Sequence, residues 1–121
     1  LKKYIDNPYP YLKLSDIFIL SSNYEGLPNV LLEAQYFKKI IISTKCPTGP
    51  KEILLNGKAG IFFKMNDYKD LSNKIIFTYK NKKKLKKKVK IGYNNLNRFD
   101  ENKNLKMYYQ VLLKYLLNEK N

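Results

Sequence analysis

The sequence has no histidine, no tryptophan and a single cysteine, Cys46. Because a disulfide needs two cysteines, the chain cannot form one internally, and this composition fits a reducing compartment. Histidine and cysteine are the usual protein ligands of transition metals, so we expect no metal site and no cofactor of that kind. Histidine is also the usual general base of nucleophilic hydrolases, and its absence disfavours that class of enzyme.

Long apolar segments are missing too. No run is long enough to span a membrane, and no basic and then apolar leader opens the chain. We therefore expect neither a transmembrane helix nor a signal peptide. With 121 residues, of which 44% are hydrophobic, the chain can bury one core, so we expect a single domain.

Acidic residues are scarce: 10 acidic residues stand against 24 basic ones, which gives a net charge of +14. Such an excess favours anionic partners, namely nucleic acid, phosphate-bearing small molecules or an acidic membrane surface. The alternative is that the abundant lysine reflects coding bias and carries no function. A net charge of this size indicates which partners the protein can associate with, and it does not indicate the fold.

The apolar segments alternate between strand-like and helix-like patterns. Predicted strands are Ile17–Leu20, Ile40–Ser43 and Gly60–Phe63, and predicted helices lie within Asn7–Leu14, Pro28–Phe37, Lys51–Leu55 and Tyr68–Tyr79. Asp67 is the predicted N-cap of the last of these helices. The alternating order predicts an α/β domain with a parallel sheet. A final apolar stripe between Leu105 and Leu117 has helical spacing, and we interpret it as core packing.

Two carboxylates lie on either side of the first predicted turn. Glu25 and Glu33 are eight positions apart, and the segment between them leads into a predicted helix N-terminus. In doubly wound α/β sheets, ligands bind at the carboxyl ends of the strands, where the free N–H groups of helix N-termini can hold phosphate. Gly26 lets the backbone approach a ligand without a Cβ. Alternatively, Glu33 lies on a solvent-facing stripe with Asn29, and Glu25 only complements the helix dipole.

Three sequence motifs resemble motifs of one protein family, and they occur in the same order as in that family. They are Ser15-Asp16 with Ser21-Ser22 and Glu25-Gly26-x-Pro28-x4-Glu33-Ala34, then Cys46-Pro47-Thr48-Gly49-Pro50-Lys51-Glu52-Ile53-Leu54, and then Asn56-Gly57-Lys58-Ala59-Gly60. Together they resemble the C-terminal domain of the retaining GT-B glycosyltransferases of group 1 (family four), whose Glu-x7-Glu motif matches Glu25 and Glu33. The resemblance implies a Rossmann-like three-layer domain with a parallel sheet and a helical C-terminal tail.

The resemblance also implies a donor site for a nucleoside-diphosphate sugar, with no further cofactor. Glu25 would be the catalytic residue beside the transferred sugar, and Glu33 would bind the ribose hydroxyls. The backbone between them would hold the sugar and the diphosphate, through Gly26, Leu27, Pro28, Asn29, Val30 and Leu31. The resemblance further implies hexosyl transfer with retention of the anomeric configuration, to a saccharide or lipid-linked acceptor in polysaccharide biosynthesis. It also implies a cytoplasmic protein that works at the inner face of the cell membrane.

Two parts of the family pattern are missing from the sequence: the N-terminal acceptor domain, and the first part of the donor domain with its basic pair for the diphosphate. We therefore expect residues 1–121 to form a single, partial C-terminal nucleotide-sugar-binding domain that is inactive as an isolated fragment. The family usually has glycine and proline where this chain has Lys38 and Ile40. These look like packing and capping positions, so we expect no change of chemistry.

The segment Lys80–Lys90 contains eight lysines in eleven residues, with Leu85 and Val89 as its apolar positions. One interpretation is peripheral contact with an anionic membrane at its inner face, close to lipid-linked acceptors. The other is a solvated helix face anchored by Leu85 and Val89. A third hypothesis from another class is a non-catalytic basic α/β module that binds nucleic acid or an acidic surface. Nucleic acid is not the expected partner, because no aromatic residues are interleaved within the lysine run.

Overall fold

The isoleucine-rich segments form a three-stranded parallel sheet in chain order. Its strands are β1 (Ile17–Leu20), β2 (Ile40–Thr44) and β3 (Ile61–Phe63), and their sheet order is β1-β2-β3. All five residues of β2 are buried, as expected for a β-branched run in the centre of a parallel sheet. Phe18 pairs with Ile41 and Ile42 with Ile61, so both neighbours of β2 are in register along its length.

The computed structural model describes residues 5–118, and their side chains up to residue 114. Its helices are α1 (Tyr9–Leu14), α2 (Asn29–Tyr36), α3 (Pro50–Ile53), α4 (Tyr68–Lys80), α5 (Lys82–Asn95) and α6 (Glu101–Asn118), with short 3-10 turns at Leu55–Gly57 and Leu96–Phe99. The predicted fold class is confirmed: this is a Rossmann-like α/β fold with a parallel sheet and a C-terminal helix.

The core lies between the sheet and the helices that connect its strands. Its buried members are Leu20, Leu31, Ala34, Ile41, Ile53 and Leu54. Leu31 and Ala34 on α2 are fully buried, and α2 packs against β2. Each fully buried leucine or isoleucine side chain contributes about 1.5–3 kcal/mol. This packing fixes α2, and with it the direction of its N-terminus, relative to the end of β1.

Two helix starts follow from local chemistry. Asp67 is the N-cap of α4 as predicted, since its carboxylate accepts a hydrogen bond of 2.9 Å from the N–H of Asp70. Helix α2 begins at Asn29, one residue later than predicted, because Pro28 has an extended ψ of 99° and occupies the N-cap position. Pro28 has no side-chain oxygen, so the first N–H groups of α2 receive no side-chain cap.

The lysine-rich segment is helical over α5. Leu85 is 5% exposed and Val89 is half-buried, so the predicted anchoring of this helix is confirmed. At its start, Lys82 Nζ lies 2.8 Å from Asp16 Oδ2, just before β1. The hydrogen bond and the positive charge of Lys82 lower the pKa of Asp16 below its ordinary value of 3.8. This ion pair links α5 to the approach of β1.

The interpretation of the last apolar stripe as core packing is wrong for the residues whose side chains are described. Its members Leu105, Tyr108, Tyr109, Leu112 and Leu113 lie on α6 and are between 39% and 68% exposed. Leu116, which also belongs to the predicted stripe, lies outside the described side chains. Helical spacing identified the helix correctly, but spacing does not say whether a second surface is present to cover the apolar face.

Within residues 5–118, none of the helices combines the length and the apolar character needed to cross a bilayer.

Candidate functional site

The predicted site residues lie on the segment between β1 and α2 and on the first turns of α2. The segment begins after Leu20, at the carboxyl end of β1, and reaches α2 at Asn29. The loop that follows β2 lies beside it, because parallel strands end at the same edge of a sheet. The geometry of the site is therefore set by contacts between these two loops.

Thr44 at the end of β2 and two side chains of the loop that follows it donate hydrogen bonds to backbone carbonyls of the first loop. Thr44 Oγ1 and Cys46 Sγ donate to the carbonyl of Ser22 at 2.5 and 3.0 Å, and Thr48 Oγ1 donates to the carbonyl of Glu25 at 2.7 Å. Thr44 and Cys46 are almost completely buried. These bonds hold the backbone of the first loop while leaving the Glu25 side chain free of them.

Gly49 brings the two loops into direct backbone contact. Its φ is +51°, and a Cβ built on it would lie 2.0 Å from the Gly26 carbonyl oxygen and 2.8 Å from Pro28 Cδ. Only glycine fits such a position, because both the conformation and the space exclude a side chain. Gly26 differs: a Cβ there would meet no heavy atom within 4 Å. The turn at Gly26 is thus packed on one side and open on the other.

The N-terminus of α2 offers two unsatisfied donors. The N–H of Leu31 donates to the Pro28 carbonyl at 2.9 Å. The N–H groups of Asn29 and Val30 make no hydrogen bond with any described residue. Asn29 and Val30 are also exposed. Since the helix dipole puts partial positive charge at this end, the two amides form a suitable place for an anionic group.

Glu33 lies one turn beyond Val30 on α2 and is half-buried. The hydroxyl of Tyr9 lies 3.4 Å from its Oε1, and the Tyr9 ring stacks on Phe37 with centroids 5.8 Å apart. Helix α1 therefore covers one side of this carboxylate. Glu33 is thus partly covered, whereas Asn29 on the same helix is exposed.

Glu33 lines two hollows in the surface. The Val30 hollow has a volume of about 300 Å³ and is lined by Pro8, Tyr11, Leu12, Ser15, Ile17, Phe18, Ile19, Val30 and Glu33. The Tyr36 hollow, of about 540 Å³, is lined by Tyr9, Leu32, Glu33, Tyr36, Phe37, Leu96, Asn97, Phe99 and Asp100. Only the Val30 hollow combines Glu33 with the start of α2, and its other walls are largely apolar.

The remaining predicted site residues differ in how far their side chains are exposed to solvent. Glu25 is half-buried, Gly26 and Leu27 are exposed, and Pro28 is buried. The Leu31 side chain is in the core and its N–H is already used, so Leu31 offers a ligand neither group. Among the described residues the Glu25 carboxylate makes no hydrogen bond, whereas Glu33 Oε1 accepts one from the Tyr9 hydroxyl.

Sequence reasoning did not find the residues that hold the site. Tyr9 is 24 positions from Glu33, and Cys46 is 24 positions from Ser22, so no local pattern connects them. For Gly49, the flanking prolines marked a turn, but its contact with the Gly26 carbonyl depends on the neighbouring strand. Lys51 and Glu52 also follow this turn, and Glu52 is paired with Arg98 at 3.3 Å.

A parallel α/β sheet with helices connecting its strands is typical of a Rossmann-like domain. The particular family is shown by comparison. The family model described as "Glycosyl transferases group 1" matches residues 1–98. The chain belongs to the group 1 glycosyltransferases, whose members have the GT-B fold, as predicted.

Two curated relatives match most of this chain. The glycosyltransferase CapH of Staphylococcus aureus, for capsular polysaccharide biosynthesis, is 32% identical over 98 residues, or 81% of this chain. The N,N'-diacetylbacillosaminyl-diphospho-undecaprenol alpha-1,3-N-acetylgalactosaminyltransferase of Campylobacter jejuni is 33% identical over 105 residues, or 84% of this chain. The matches cover only 26% and 28% of those proteins, so the chain spans about a quarter of their length.

A solved structure supports the fold. HepE of Anabaena, whose crystal structure is a complex with UDP, matches 86% of this chain with a TM-score of 0.77. The sequence identity is 19%, and the match covers 29% of that chain. At this identity the similarity establishes the fold alone.

We predict that Gly49→Ala destabilises the protein far more than Gly26→Ala does. An added Cβ at position 49 meets the Gly26 carbonyl, and overpacking together with a positive φ lowers the free energy of unfolding by about 2 kcal/mol or more. The Cβ at position 26 enters open space, so its effect on folding stays within about 0.5 kcal/mol. Urea denaturation of the two variants measures both values. Equal stabilities would show that the two loops are not in contact.

Proposed function

We propose that this chain is the donor-binding half of a retaining glycosyltransferase, which transfers a sugar from a nucleoside-diphosphate sugar to a saccharide or lipid-linked acceptor. The observation that carries the proposal is the placement of Glu33 one turn after the unpartnered amides of Asn29 and Val30. A carboxylate and two free N–H groups on neighbouring turns of one helix suit a nucleoside diphosphate, which has hydroxyls at one end and anionic oxygens at the other.

The nucleoside end of the donor is proposed to bind at Glu33. Its two carboxylate oxygens can accept hydrogen bonds from the vicinal hydroxyls of a ribose. Such bonds are strong, because the acceptor is charged. The Val30 hollow, with its largely apolar walls, offers the space beside Glu33 for the nucleobase, and Tyr9 supports the carboxylate from the other side.

The diphosphate end is proposed to lie against the N-terminus of α2. The N–H groups of Asn29 and Val30 would donate to its oxygens, and the helix dipole would stabilise its charge. As the bond to the sugar breaks, negative charge grows on the departing diphosphate, so preorganised donors at this point lower the barrier to transfer. The open space beside Gly26 leaves room for the donor to approach the backbone.

The transferred sugar is proposed to lie beside Glu25. This residue is on the turn before α2, so a donor running from Glu33 across the α2 amides would direct its sugar toward this turn. Thr48 fixes the Glu25 backbone by donating a hydrogen bond to its carbonyl, and among the described residues the Glu25 side chain has no hydrogen-bond partner that would compete with a substrate. Leu27 and Pro28 shape the same turn. No cofactor other than the donor substrate is required.

We further propose that the acceptor binds to a separate N-terminal domain, and that residues 1–121 alone do not turn over. The polyprenol-linked acceptor in the name of the Campylobacter relative supports the lipid-linked class. Two surfaces suggest where further protein would pack: β1 is the edge of the sheet, with Ile19 39% exposed, and α6 has an exposed apolar stripe. Both would be covered in a larger protein.

Nucleotide binding to the full-length protein tests the role of Glu33. Titration calorimetry with UDP and GDP selects the better ligand, and Glu33→Gln is expected to weaken its binding about 10- to 100-fold, because a hydrogen bond to a charged group contributes about 1.5–3 kcal/mol. The 2′-deoxy form of the same nucleotide should bind the unmodified protein less tightly. In Glu33→Gln this difference between ribose and deoxyribose should disappear.

The matched control is Glu52→Gln, which removes a carboxylate that is paired with Arg98 and lies outside the proposed site. Its nucleotide affinity should equal that of the unmodified protein. If Glu33→Gln kept both its affinity and its preference for ribose, the proposed donor site would be wrong. Binding of an oligonucleotide in preference to any mononucleotide would instead support the basic-module hypothesis.

A separate prediction concerns Glu25. In the full-length enzyme, Glu25→Gln is expected to lower kcat at least 100-fold, as removal of one electrostatic group from a reacting centre commonly does. The affinity for the nucleoside diphosphate should be retained, because Glu25 is proposed to contact the sugar. The measurement is the transfer rate at saturating donor, alongside calorimetry. A variant with normal kcat would remove Glu25 from the reaction.

A further inference from the structure

Four lysines of α5 form one continuous row on the outer face of the helix. Lys83, Lys86, Lys87 and Lys90 are spaced three and four positions apart and are all exposed. The opposite face of α5 contains Leu85, Gly92 and Asn95, which are buried. We call the row of four lysines the lysine row. Its direction is fixed, because the buried face of α5 packs on β2 and α2.

The charge of the lysine row is not neutralised within the described residues. The ion pairs of this region use other cations: Lys82 with Asp16, Arg98 with Glu52 and Lys74 with Asp70. Between Leu71 and Phe99 the sequence has no acidic residue. Lys88 points elsewhere and donates to the carbonyl of Gly57. The four ammonium groups therefore face solvent together, and their mutual repulsion is relieved only by an external anion.

A second basic group extends the surface sideways. Lys38, which precedes β2, lies with its Nζ 4.6 Å from the centroid of the Tyr93 ring. Lys38, Lys86 and Lys90 line a shallow hollow of about 360 Å³ together with Val89, Tyr93 and Asn94. Three cations around one hollow suit the phosphate of a lipid headgroup. Tyr93 is 40% exposed at the edge of this hollow, and tyrosine commonly occupies the boundary between headgroups and acyl chains.

We propose that the lysine row, extended by Lys38 and Tyr93, is a docking surface for an anionic lipid bilayer. A single helix that presents four outward lysines and no apolar residue among them contacts a flat surface along its length, and attraction to acidic headgroups supplies the binding energy. The contact is therefore electrostatic, peripheral and sensitive to salt. This inference does not rest on the proposed donor site.

The observations favour a bilayer over nucleic acid. Binding to single strands generally uses aromatic rings on which bases stack, within a basic groove that follows the backbone. The lysine row has no aromatic member and lies on a convex helix face. Tyr79 lies on α4 and Tyr93 lies near the end of α5, and their rings are near Lys82 and Lys38 respectively, so each ring is already adjacent to a lysine.

Vesicle binding tests the proposal. The protein is sedimented with vesicles of phosphatidylcholine alone, or of phosphatidylcholine mixed with phosphatidylglycerol, at about 0.1 M and 1 M salt, where the Debye length is about 10 and 3 Å. We expect binding to the anionic vesicles only, and its loss at high salt. Replacing the four lysines of the row by glutamine should weaken binding several hundredfold, at about fivefold per lysine.

The control variant changes the net charge by the same amount, but its four substitutions lie outside α5. Lys13, Lys45, Lys58 and Lys64 are exposed and lie outside α5, and their replacement by glutamine should leave vesicle affinity close to that of the unmodified protein. Equal losses in the two variants would show that only net charge matters and would overturn the proposal. So would binding to neutral vesicles, or an oligonucleotide that displaces the protein from anionic vesicles at equal phosphate concentration.

Nucleotide affinity measured on the same variants separates this inference from the proposed function. Both quadruple variants should bind the nucleoside diphosphate normally, since none of the eight lysines belongs to the donor site. Circular dichroism checks that α5 stays helical in the variant of the lysine row. A variant that folds, binds nucleotide and still sediments with anionic vesicles would refute the docking surface and leave the donor site untouched.

Discussion

The close approach of Gly49 to the carbonyl of Gly26 is the contact on which the site depends. The 2.0 Å between a hypothetical Cβ and that oxygen leaves no space for any other residue at position 49. The contact sets where the first loop turns, and the bonds from Thr44, Cys46 and Thr48 hold the rest of that loop. Helix α2 therefore begins at a defined point, with two amides free at its N-terminus. A looser loop would let that terminus fray and would lose the preorganised donors.

The site is also supported from within the protein by polar groups that connect the helices. Gln35, which is 2% exposed, donates to the carbonyl of Ile53 at 3.1 Å, and Asn95 donates to the same carbonyl at 3.3 Å. A Cβ at Gly92 would lie 3.1 Å from Gln35, so α5 and α2 are in close contact there. These contacts fix the lysine-bearing helix relative to the helix that carries Glu33. If the proposals are correct, the donor site keeps a constant orientation to the membrane.

Much of the fold could be predicted from local pattern. Short, continuously apolar runs predicted the three strands almost to the residue, because strands of parallel sheets commonly have this pattern. Asp67 identified the start of α4, since capping chemistry is local. Contacts between distant residues could not be predicted in this way: the Tyr9 hydroxyl near Glu33 and the Cys46 bond to Ser22 depend on which strands are neighbours. The exposed stripe of α6 shows the same limit, because amphipathic spacing does not reveal what covers the apolar face.

The chemistry of the proposed donor site divides between side chain and backbone. As proposed, Glu33 would give selectivity for a ribose, whereas the amides of Asn29 and Val30 would hold charge without distinguishing one nucleotide from another. The motif in the sequence shows the two carboxylates clearly, but the backbone donors become visible only when the helix start and its lack of a cap are known. Membership of the group 1 glycosyltransferases is consistent with this division. The two curated relatives are about four times as long as the segment that matches this chain.

The most direct measurement of the central claim is the chemical shift of the backbone amides at the start of α2. On titration with the preferred nucleoside diphosphate, the Asn29 and Val30 amide resonances should shift strongly and saturably, while that of Leu31, which is already bonded to Pro28, should shift less. Large shifts confined to α5, or none at Asn29 and Val30 under saturation, would contradict the account.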